Sequence, residues 1–486
     1  MKKFCVLGAG TMGAGITQWL ATSGKEVFLS DNNPDVLKNA ETSIRKSYER
    51  LVSKNKFTDE QVREFLENIQ FASSIENVPS DTDLLIEAIV ENLEIKQQVF
   101  TKLDEHFGPQ TIFASNTSGL SIEKIFSKLN SRPCCGLHFF NPAPIMKLVE
   151  IVKSPSISSE DLNQLKEFFI SNKKIPAIVE DRPGFICNRV ARNFYGESFR
   201  ILNTDSPKQM QEIDFILKEV AGFRMGPFEL IDLIGVDINL NATKGVFEAF
   251  GSHPRFAPHK FQEQAVNEER LGRKTNNLGL ILGRSSESDF KLEVINPNQE
   301  VSPIVVYDEL SHDFPENSIV FDKTLFNLEE KIELLKILKE KNNHVIVEGS
   351  HLSNDILPII NEMNFDLCNS IFLLEKNNSV ELISTTGDEK IIQHFSNHMK
   401  KNVVIRSDNK LGLITPRVLM QIIFEATVAF EEGLASKKDI DSAMIYGLNY
   451  PAGPFEWQNS ISAELVEALR LNMCHTISRK PNRYTR

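Results

Sequence analysis

One histidine and one glutamate stand twelve residues apart in the segment GLHFFNPAPIMKLVE, residues 136–150. A neutral imidazole can take a proton from a hydroxyl group when its other ring nitrogen is held by an acceptor, and a carboxylate is such an acceptor. The Asn-Pro turn between the two residues lets the chain double back. We predict that His138 is a general base and that Glu150 orients it and stabilises its cationic form, so that oxidation of a hydroxyl substrate improves as pH rises. The alternative is that His138 is a hydrogen-bonded core residue of an apolar strand.

A glycine-rich segment near the N-terminus has the pattern of a dinucleotide-binding turn. GAGTMG follows the strand-like run Phe4 to Leu7 and precedes a helical run through Leu20. In that context glycines let the backbone approach a pyrophosphate, and the helix N-terminus offers N–H donors to it. An aspartate ends the next strand-like run, Glu26 to Ser30, where it would accept hydrogen bonds from a ribose diol and repel a 2′-phosphate, which favours NAD over NADP. The predicted NAD-binding residues of this region are Gly8, Gly10, Thr11, Met12, Gly13 and Asp31. The alternative is a glycine turn followed by an exposed aspartate.

Further strand-like runs alternate with helical ones. They lie at 84–89, 112–114 and 136–140, and one intervening helix is predicted over 94–107. This alternation predicts a doubly wound parallel sheet, whose ligands bind at the carboxyl ends of the strands. The Asn116-Thr117-Ser118 segment follows one of these strands and His138 lies near the end of another, so a hydroxyl, an imidazole and two amides, those of Asn116 and Asn141, are expected to converge.

Composition excludes several classes of function. The chain has 486 residues, 41% of them hydrophobic, and a formal net charge of −12, which argues against nucleic acid or an anionic membrane surface as a partner. The six cysteines lack zinc-type CxxC spacing, so no metal site is predicted. The N-terminus is a poor signal peptide, and no apolar run reaches the ~20 residues that cross a bilayer. We expect a cytoplasmic protein that does not bind membranes.

Six segments in order resemble the L-3-hydroxyacyl-CoA dehydrogenase family: GAGTMGAG, EAIVENLEIK, SNTSGLSI, GLHFFNPAPIMKLVEIV, DRPGFICNR and MGPFELIDLIG. The resemblance covers residues 1 to about 275 and implies an NAD domain followed by a helical domain that starts near Pro183. The implied reaction is reversible, NAD-dependent oxidation of an L-3-hydroxyacyl-CoA to a 3-ketoacyl-CoA, in fatty-acid or aromatic-acid β-oxidation. The chain also resembles the duplicated bacterial forms of the family, which act on 3-hydroxybutyryl-CoA or 3-hydroxyadipyl-CoA.

The resemblance also assigns roles to individual residues. It makes His138 and Glu150 the catalytic pair and places Ser118 and Asn188 at the substrate's C3 oxygen or carbonyl. The implied cofactor contacts are Glu91, Lys96, Ser118, Asn141 and Lys274, and the implied coenzyme A contacts are Ser47 and Lys54 on the long helical insertion after Asp31. The alternatives are a helix-start role for Asn188 and solvated helix positions for Ser47 and Lys54.

Two departures from the family pattern leave other functions open. Gly119 replaces a common serine, and the usual Gly-x-Gly-Phe-Tyr tail after Lys274 is absent. Neither change touches the His138–Glu150 pair. The alternatives are an NAD-linked dehydrogenase of a non-CoA hydroxy acid and a catalytically inactive NAD-binding or structural protein.

The C-terminal half contains a degenerate repeat of the N-terminal half. DRPGFICNRV at 181–190 returns as DNKLGLITPRV at 408–418, and LHFFNPAPIMKLVEIV has a faint counterpart in IFLLEKNNSVELIS. In this alignment Phe372 stands at the histidine position, Glu381 at the glutamate position and Pro416 at the position of Asn188. Strand-like runs at 318–321, 344–347 and 371–374 predict a shrunken α/β unit without a GxGxxG motif.

The predicted fold is therefore α/β with four parts. They are a Rossmann-type NAD domain (1–182), an all-α domain (183–284), a degenerate Rossmann-like domain (285–407) and a second all-α domain (408–486). Shorter family members pair two subunits through their helical domains, so residues 411–470 are expected to pack against 183–270 and to replace a dimer partner, with higher oligomers also open.

Overall fold

The computed structural model describes residues 1–129, 131–284, 292–298, 304–307, 317–324, 328–341, 343–350, 356–370, 378–406, 411–461 and 466. The chain divides into two compact units. The first unit comprises Met1–Arg189 and Ala429–Asn449, and the second comprises Val190–Val428 and Tyr450–Arg486.

Strands and helices alternate along most of the chain. The strands are β1 (Lys3–Leu7), β2 (Glu26–Ser30), β3 (Ile69–Ala72), β4 (Leu84–Glu87), β5 (Ile112–Ser115), β6 (Cys134–Phe139), β7 (Leu148–Val152), β8 (Ile175–Val179), β9 (Glu293–Ile295), β10 (Val305–Tyr307), β11 (Ile319–Asp322), β12 (His344–Glu348), β13 (Asp366–Asn369), β14 (Ser379–Ile383) and β15 (Asn402–Arg406). The helices are α1 (Thr11–Thr22), α2 (Pro34–Ser53), α3 (Asp59–Glu67), α4 (Leu93–His106), α5 (Ile122–Ile125), α6 (Ser159–Ser171), α7 (Cys187–Val190), α8 (Arg192–Ile201), α9 (Pro207–Glu219), α10 (Pro227–Ile234), α11 (Val236–Ala249), α12 (Lys260–Asn267), α13 (Leu328–Glu340), α14 (Leu357–Met363), α15 (Glu389–Met399), α16 (Ile414–Glu431), α17 (Lys437–Leu448) and α18 (Pro454–Asn459). Short 3₁₀ helices lie at Ile75–Asn77 and Pro254–Phe256.

The first unit is built on an eight-stranded sheet in the order β3-β2-β1-β4-β5-β6-β7-β8. All neighbouring strands are parallel except β6 and β7, which are antiparallel. Apolar side chains of the central strands and of α1 form a buried core, in which the Trp19 ring stacks on Phe169 with 5.6 Å between centroids. The predicted doubly wound Rossmann-type sheet is confirmed.

The long insertion after β2 forms two helices with conventional N-terminal caps. The side chain of Asn33 accepts a hydrogen bond from the backbone of Asp35 at the start of α2. Thr58 and Gln61 form a capping box at the start of α3. Helix α2, Pro34–Ser53, is the long helical insertion that the sequence predicts after Asp31.

A helix from the C-terminal half of the chain belongs to the first unit. Helix α17 packs against β7 and β8 of the first sheet. The adjoining segment reinforces this packing, because the Leu434 carbonyl accepts a hydrogen bond from the Glu180 amide, at 2.9 Å. The two compact units therefore cross the four predicted domain ranges, and those ranges remain predictions.

Helices of both sequence repeats pack together within the second unit. The Arg417 guanidinium contacts the Glu197 carboxylate at 2.7 Å, and the Arg255 guanidinium contacts Glu425 at 2.8 Å. The ring of Phe223 lies 4.9 Å from that of Tyr450 between centroids. Within this unit, Arg417, Glu425 and Tyr450 thus contact residues of 190–270, as the sequence repeat predicts.

The second unit also contains a seven-stranded sheet in the order β10-β11-β12-β13-β14-β15-β9. Its β13–β14 pair is antiparallel and is followed by a parallel β15, as β6, β7 and β8 are arranged in the first sheet. Among the described residues, three strands precede β13 in the sheet order, whereas five precede β6. Strands equivalent to β2 and β3 are absent from the described part of this sheet.

The register of the second sheet corrects one predicted equivalence. Asn369, and not Phe372, is paired with Glu381 across β13 and β14, as His138 is paired with Glu150 across β6 and β7. The strand that carries this position is Asp366–Asn369. The predicted strand at 371–374 and Phe372 itself lie outside the described residues.

None of the helices in the described ranges combines the length and the hydropathy that crossing a bilayer requires.

Candidate active site

His138 and Glu150 are in direct contact. They are cross-strand partners in the β6–β7 ladder, and His138 Nδ1 lies 2.5 Å from Glu150 Oε2. The glutamate is completely buried and the histidine is 7% exposed. With its proton on Nδ1, the imidazole donates to the carboxylate and keeps Nε2 as its basic nitrogen.

Backbone amides hold the other side of the Glu150 carboxylate. Oε1 accepts hydrogen bonds from the amides of Ile186 and Cys187, at 2.9 and 3.0 Å, where the chain enters α7. These donors fix the orientation of the carboxylate. Glu150 is therefore a rigid, buried anion against which the imidazole is oriented.

Ser118 and Asn188, both predicted to contact the substrate's C3 oxygen or carbonyl, are in direct contact. The side-chain amide of Asn188 donates to the Ser118 carbonyl oxygen, at 2.9 Å. Glu91 holds the same segment, because its Oε1 accepts hydrogen bonds from the Thr117 hydroxyl at 2.6 Å and the Ser118 amide at 2.9 Å. Asn188 is thus part of the site's hydrogen-bond network.

A buried ion pair lies under this segment. The Lys96 ammonium contacts Glu87 at 2.5 Å and Glu91 at 3.4 Å, and the Ser115 hydroxyl donates to Glu87 Oε2 at 2.6 Å. Lys96 is 1% exposed and Glu87 is completely buried. Glu87 was missed as a site residue, although a charged residue at the end of the apolar strand LLIE was a visible signal.

The segment after β6 is tied down by two polar side chains. Asn116 Oδ1 accepts a hydrogen bond from the Phe139 amide at 2.9 Å, which fixes the strand end next to His138. The Lys174 ammonium donates to the carbonyl oxygens of Ala143 and Met146, both at 2.5 Å. Burial lowers the pKa of Lys174 to about 8. Lys174 was missed because it lies thirty-one residues along the chain from the loop that it holds.

The glycine turn has the shape that the close approach of a pyrophosphate requires. A side chain at Gly13 would overlap the carbonyl oxygen of Gly8, so the start of α1 lies directly against the end of β1. Gly8 has a φ of +98°, which favours glycine. A Cβ at Gly10 would have no atom within 4 Å, so its backbone faces open space. These features fit a dinucleotide.

A cavity of about 760 Å³ opens beside the glycine turn, and Gly8, Gly10 and Asp31 line it. The Asp31 carboxylate accepts hydrogen bonds from the amides of Ala9 and Asn33, each at 2.9 Å, which holds it at the end of β2. A carboxylate so placed has further lone pairs for a ribose diol. Among the other predicted NAD contacts, Met12 packs against the core of the first unit.

A second cavity, of about 410 Å³, lies between α1, α2 and the loop after β6. It is lined by Thr11, Ser47, Lys54 and Asn141, all predicted to contact the cofactor or coenzyme A, and also by Arg50. The Ser47 hydroxyl accepts a hydrogen bond from the Gln18 side chain at 2.9 Å. The structure thus brings the two predicted coenzyme A residues to one cavity.

Lys274 is the one predicted site residue that lies in the second unit. Its ammonium contacts the Asp237 carboxylate at 3.0 Å. Its role as a cofactor contact remains a prediction.

Two family models match most of the chain. The model described as "3-hydroxyacyl-CoA dehydrogenase, NAD binding domain" matches residues 3–182, and the model described as "3-hydroxyacyl-CoA dehydrogenase, C-terminal domain" matches residues 184–279 and 412–485.

Individual relatives agree with the family models. The chain is 34% identical over 477 residues to the 3-hydroxyadipyl-CoA dehydrogenase of Escherichia coli K12, which covers 98% of this chain and 94% of that protein. It is 39% identical over 282 residues to the mitochondrial hydroxyacyl-coenzyme A dehydrogenase of Sus scrofa, with 57% of this chain and 89% of that protein covered. The crystal structure of 3-hydroxybutyryl-CoA dehydrogenase from Escherichia coli K12 matches with a TM-score of 0.79 and 30% identity, over 98% of this chain and 94% of that one.

These matches confirm the predicted NAD cofactor and the predicted activity of an NAD-dependent 3-hydroxyacyl-CoA dehydrogenase. Over both its NAD-binding and its C-terminal regions, the chain belongs to the 3-hydroxyacyl-CoA dehydrogenase family.

Proposed function

We propose that the chain oxidises the L-3-hydroxyl group of an acyl-CoA at a site formed by His138, Glu150, Ser118 and Asn188. The observation that carries these roles is the 2.5 Å contact between His138 Nδ1 and the buried Glu150 carboxylate. It leaves the opposite ring nitrogen as a base whose tautomer is fixed.

Bound NAD supplies the acceptor for the hydride that leaves C3 of the substrate. His138 Nε2 takes the proton of the C3 hydroxyl as the carbonyl double bond forms. Glu150 stabilises the resulting imidazolium, and two backbone amides hold its other oxygen in place. In the reverse direction the imidazolium returns the proton to the C3 oxygen.

Ser118 and Asn188 orient the reacting oxygens in this proposal. Two observations support it: the Asn188 side-chain amide donates to the Ser118 backbone carbonyl at 2.9 Å, and Glu91 accepts a hydrogen bond from the Ser118 amide. A backbone segment at Ser118 and an Asn188 side chain that are held in place before the substrate arrives lower the entropic cost of aligning C3 with the hydride acceptor.

Ser47 and Lys54 hold coenzyme A in this proposal. Both line the cavity of about 410 Å³, which offers a hydroxyl and two cationic side chains, Lys54 and Arg50, to the phosphates of the ligand. Residues 411–470 replace the partner subunit of shorter family members, and the ion pairs of Arg417 and Glu425 with the helices at 190–270 support this. The cytoplasmic location remains a prediction.

An NADH absorbance assay with a series of 3-hydroxyacyl-CoA substrates tests the proposal. The series includes 3-hydroxybutyryl-CoA and 3-hydroxyadipyl-CoA, the acyl groups in the names of the two E. coli relatives. We expect NADH to form and free coenzyme A to compete with the substrate. Lys54→Ala should raise KM with little change in kcat, whereas the control variant Lys46→Ala, within α2 and outside the cavity, should change neither. Turnover of a free hydroxy acid that coenzyme A does not inhibit would contradict the proposal.

A further inference from the structure

Helix α17 lies against β7, the strand that carries Glu150. The helix comes from the second half of the chain, in which Asn369 stands at the position of His138 and Pro416 at that of Asn188. It packs on β7 and β8. The site residues and this helix belong to one compact unit. The helix therefore packs directly against a strand that carries a site residue.

Two contacts link α17 to the residues that hold Glu150. The Cys187 thiol donates to the Ala443 carbonyl oxygen, with Sγ and O 3.4 Å apart, and the amide of the same cysteine donates to Glu150. One turn later, a Cβ on Gly447 would overlap Leu148 Cδ2 and lie 3.1 Å from Cys187 Sγ. Leu148 precedes Glu150 by two residues in β7, so their side chains share a face of the sheet.

Glycine at this buried helix position is explained by the close approach of the helix to the strand. Glycine within a helix is less favourable than alanine because more backbone entropy is lost on folding. Close packing that leaves no room for a Cβ can offset this cost. Burial and the Glu150 charge raise the pKa of the Cys187 thiol well above its usual value, so this thiol stays a protonated donor to α17.

We infer that α17 positions the catalytic pair and that Gly447 is a positioning residue for the dehydrogenase reaction. This inference rests on the proposed roles of His138 and Glu150. Because α17 touches Leu148 and Cys187 from one side, a displacement of the helix moves the strand that carries Glu150 and one of the two amides that hold its carboxylate. The second half of the chain is then required for the chemistry of the first.

The test compares Gly447→Ala with the matched variant Gly245→Ala in the full chain. Gly245 lies within α11, where an added Cβ meets no atom within 4 Å. For Gly447→Ala we expect kcat to fall by about 10- to 100-fold, on the scale of a catalytic group misplaced by about 1 Å, while NAD affinity stays unchanged. The pH profile of kcat/KM should shift in the same direction as that of Glu150→Gln. Gly245→Ala should change none of these quantities.

Two further variants separate positioning from simple loss of stability. Leu148→Val removes the carbon atom that the added methyl group would strike, so Gly447→Ala/Leu148→Val should recover kcat and the wild-type pH profile. Cys187→Ala removes the thiol contact without adding volume and should shift the pH profile in the same direction as Gly447→Ala.

Wild-type kcat and pH profile in both Gly447→Ala and Cys187→Ala would overturn the inference, provided that Glu150→Gln is impaired. A folded Gly447→Ala/Leu148→Val variant whose kcat stays low while its pH profile is that of the wild type would also overturn the inference. If Glu150→Gln and His138→Gln themselves kept full turnover, the proposed function would fail instead.

Discussion

Asn369 faces Glu381 across the second sheet at the register where His138 faces Glu150 across the first. Glu381 accepts hydrogen bonds from the amides of Ile414 and Thr415, at 2.9 and 3.0 Å, as Glu150 does from the equivalent amides of the first repeat. Its charge is compensated by the Arg406 guanidinium at 2.9 Å. The second copy has thus kept the carboxylate and its backbone partners while the base has changed to an amide.

The first prediction compares the two glutamates. Glu381→Gln should lower the free energy of unfolding by about 3–5 kcal/mol, the range for removing one partner of a buried ion pair, and should leave kcat of the folded enzyme unchanged. Glu150→Gln should reduce kcat and alter the pH profile, because the imidazole loses the charge that stabilises its cation. Denaturant unfolding and the NADH assay on both variants provide the measurements. A loss of kcat in folded Glu381→Gln would show that the second copy takes part in the chemistry.

The second prediction concerns cofactor stoichiometry. The described part of the second sheet lacks strands equivalent to β2 and β3, and the sequence from 285 to 400 contains no GxGxxG motif. Without that turn and a carboxylate equivalent to Asp31, the described part of the second sheet has no matching site for a pyrophosphate and a ribose. Titration calorimetry of the full chain should give one NAD per chain. Two equivalent NAD sites would contradict the interpretation of the second copy as degenerate.

The third prediction concerns Asp31. Asp31→Ala should weaken NAD binding by about 1.5–2 kcal/mol, roughly 10- to 30-fold in Kd, because hydrogen bonds to a charged acceptor are lost. The preference for NAD over NADP should fall at the same time, since the charge that repels a 2′-phosphate is gone. Asp35→Ala removes a nearby carboxylate that does not line the cavity and serves as the control. Equal use of NAD and NADP by the wild-type enzyme would refute the ribose assignment.

The fourth prediction is a dependence of stability on pH. Burial lowers the pKa of Lys174 from 10.5 to about 8. Between these two values the unfolded chain binds more protons at this residue than the folded chain, so its contribution to the free energy of unfolding increases with pH. The free energy of unfolding of the wild type should therefore rise relative to that of Lys174→Met as the pH is raised from 8 to 10.5. The exposed Lys166→Met is the matched control, and a pH-independent difference for Lys174→Met would contradict the prediction.

Local patterns in the sequence were enough to predict five of the eight strands of the first sheet, namely β1, β2, β4, β5 and β6, and the pairing of His138 with Glu150. Strand bounds such as Glu26–Ser30 agree with the structure, because short apolar runs between turns leave few alternatives. The His138–Glu150 contact follows from an Asn-Pro turn between two strands that become antiparallel partners. These features depend on residues close together in the chain.

The sequence repeat does not show that Asn369 is equivalent to His138, because an alignment of the apolar residues matches Phe372 to the histidine. The spacing of twelve residues between His138 and Glu150 returns between Asn369 and Glu381, and that spacing was the available signal. The packing of α17 on β7 had no such signal. It joins residues about 300 positions apart, such as Leu148 and Gly447, and only the folded chain shows that the glycine is required by a neighbour.

The central claim is that His138 is the general base. The most direct measurement is the steady-state rate of NADH formation by His138→Gln with a 3-hydroxyacyl-CoA substrate, together with its NAD affinity by calorimetry. We predict a loss of kcat of roughly 10² to 10⁴, the usual contribution of a positioned acid or base, with NAD affinity nearly unchanged. A His138→Gln enzyme with wild-type kcat would contradict the account.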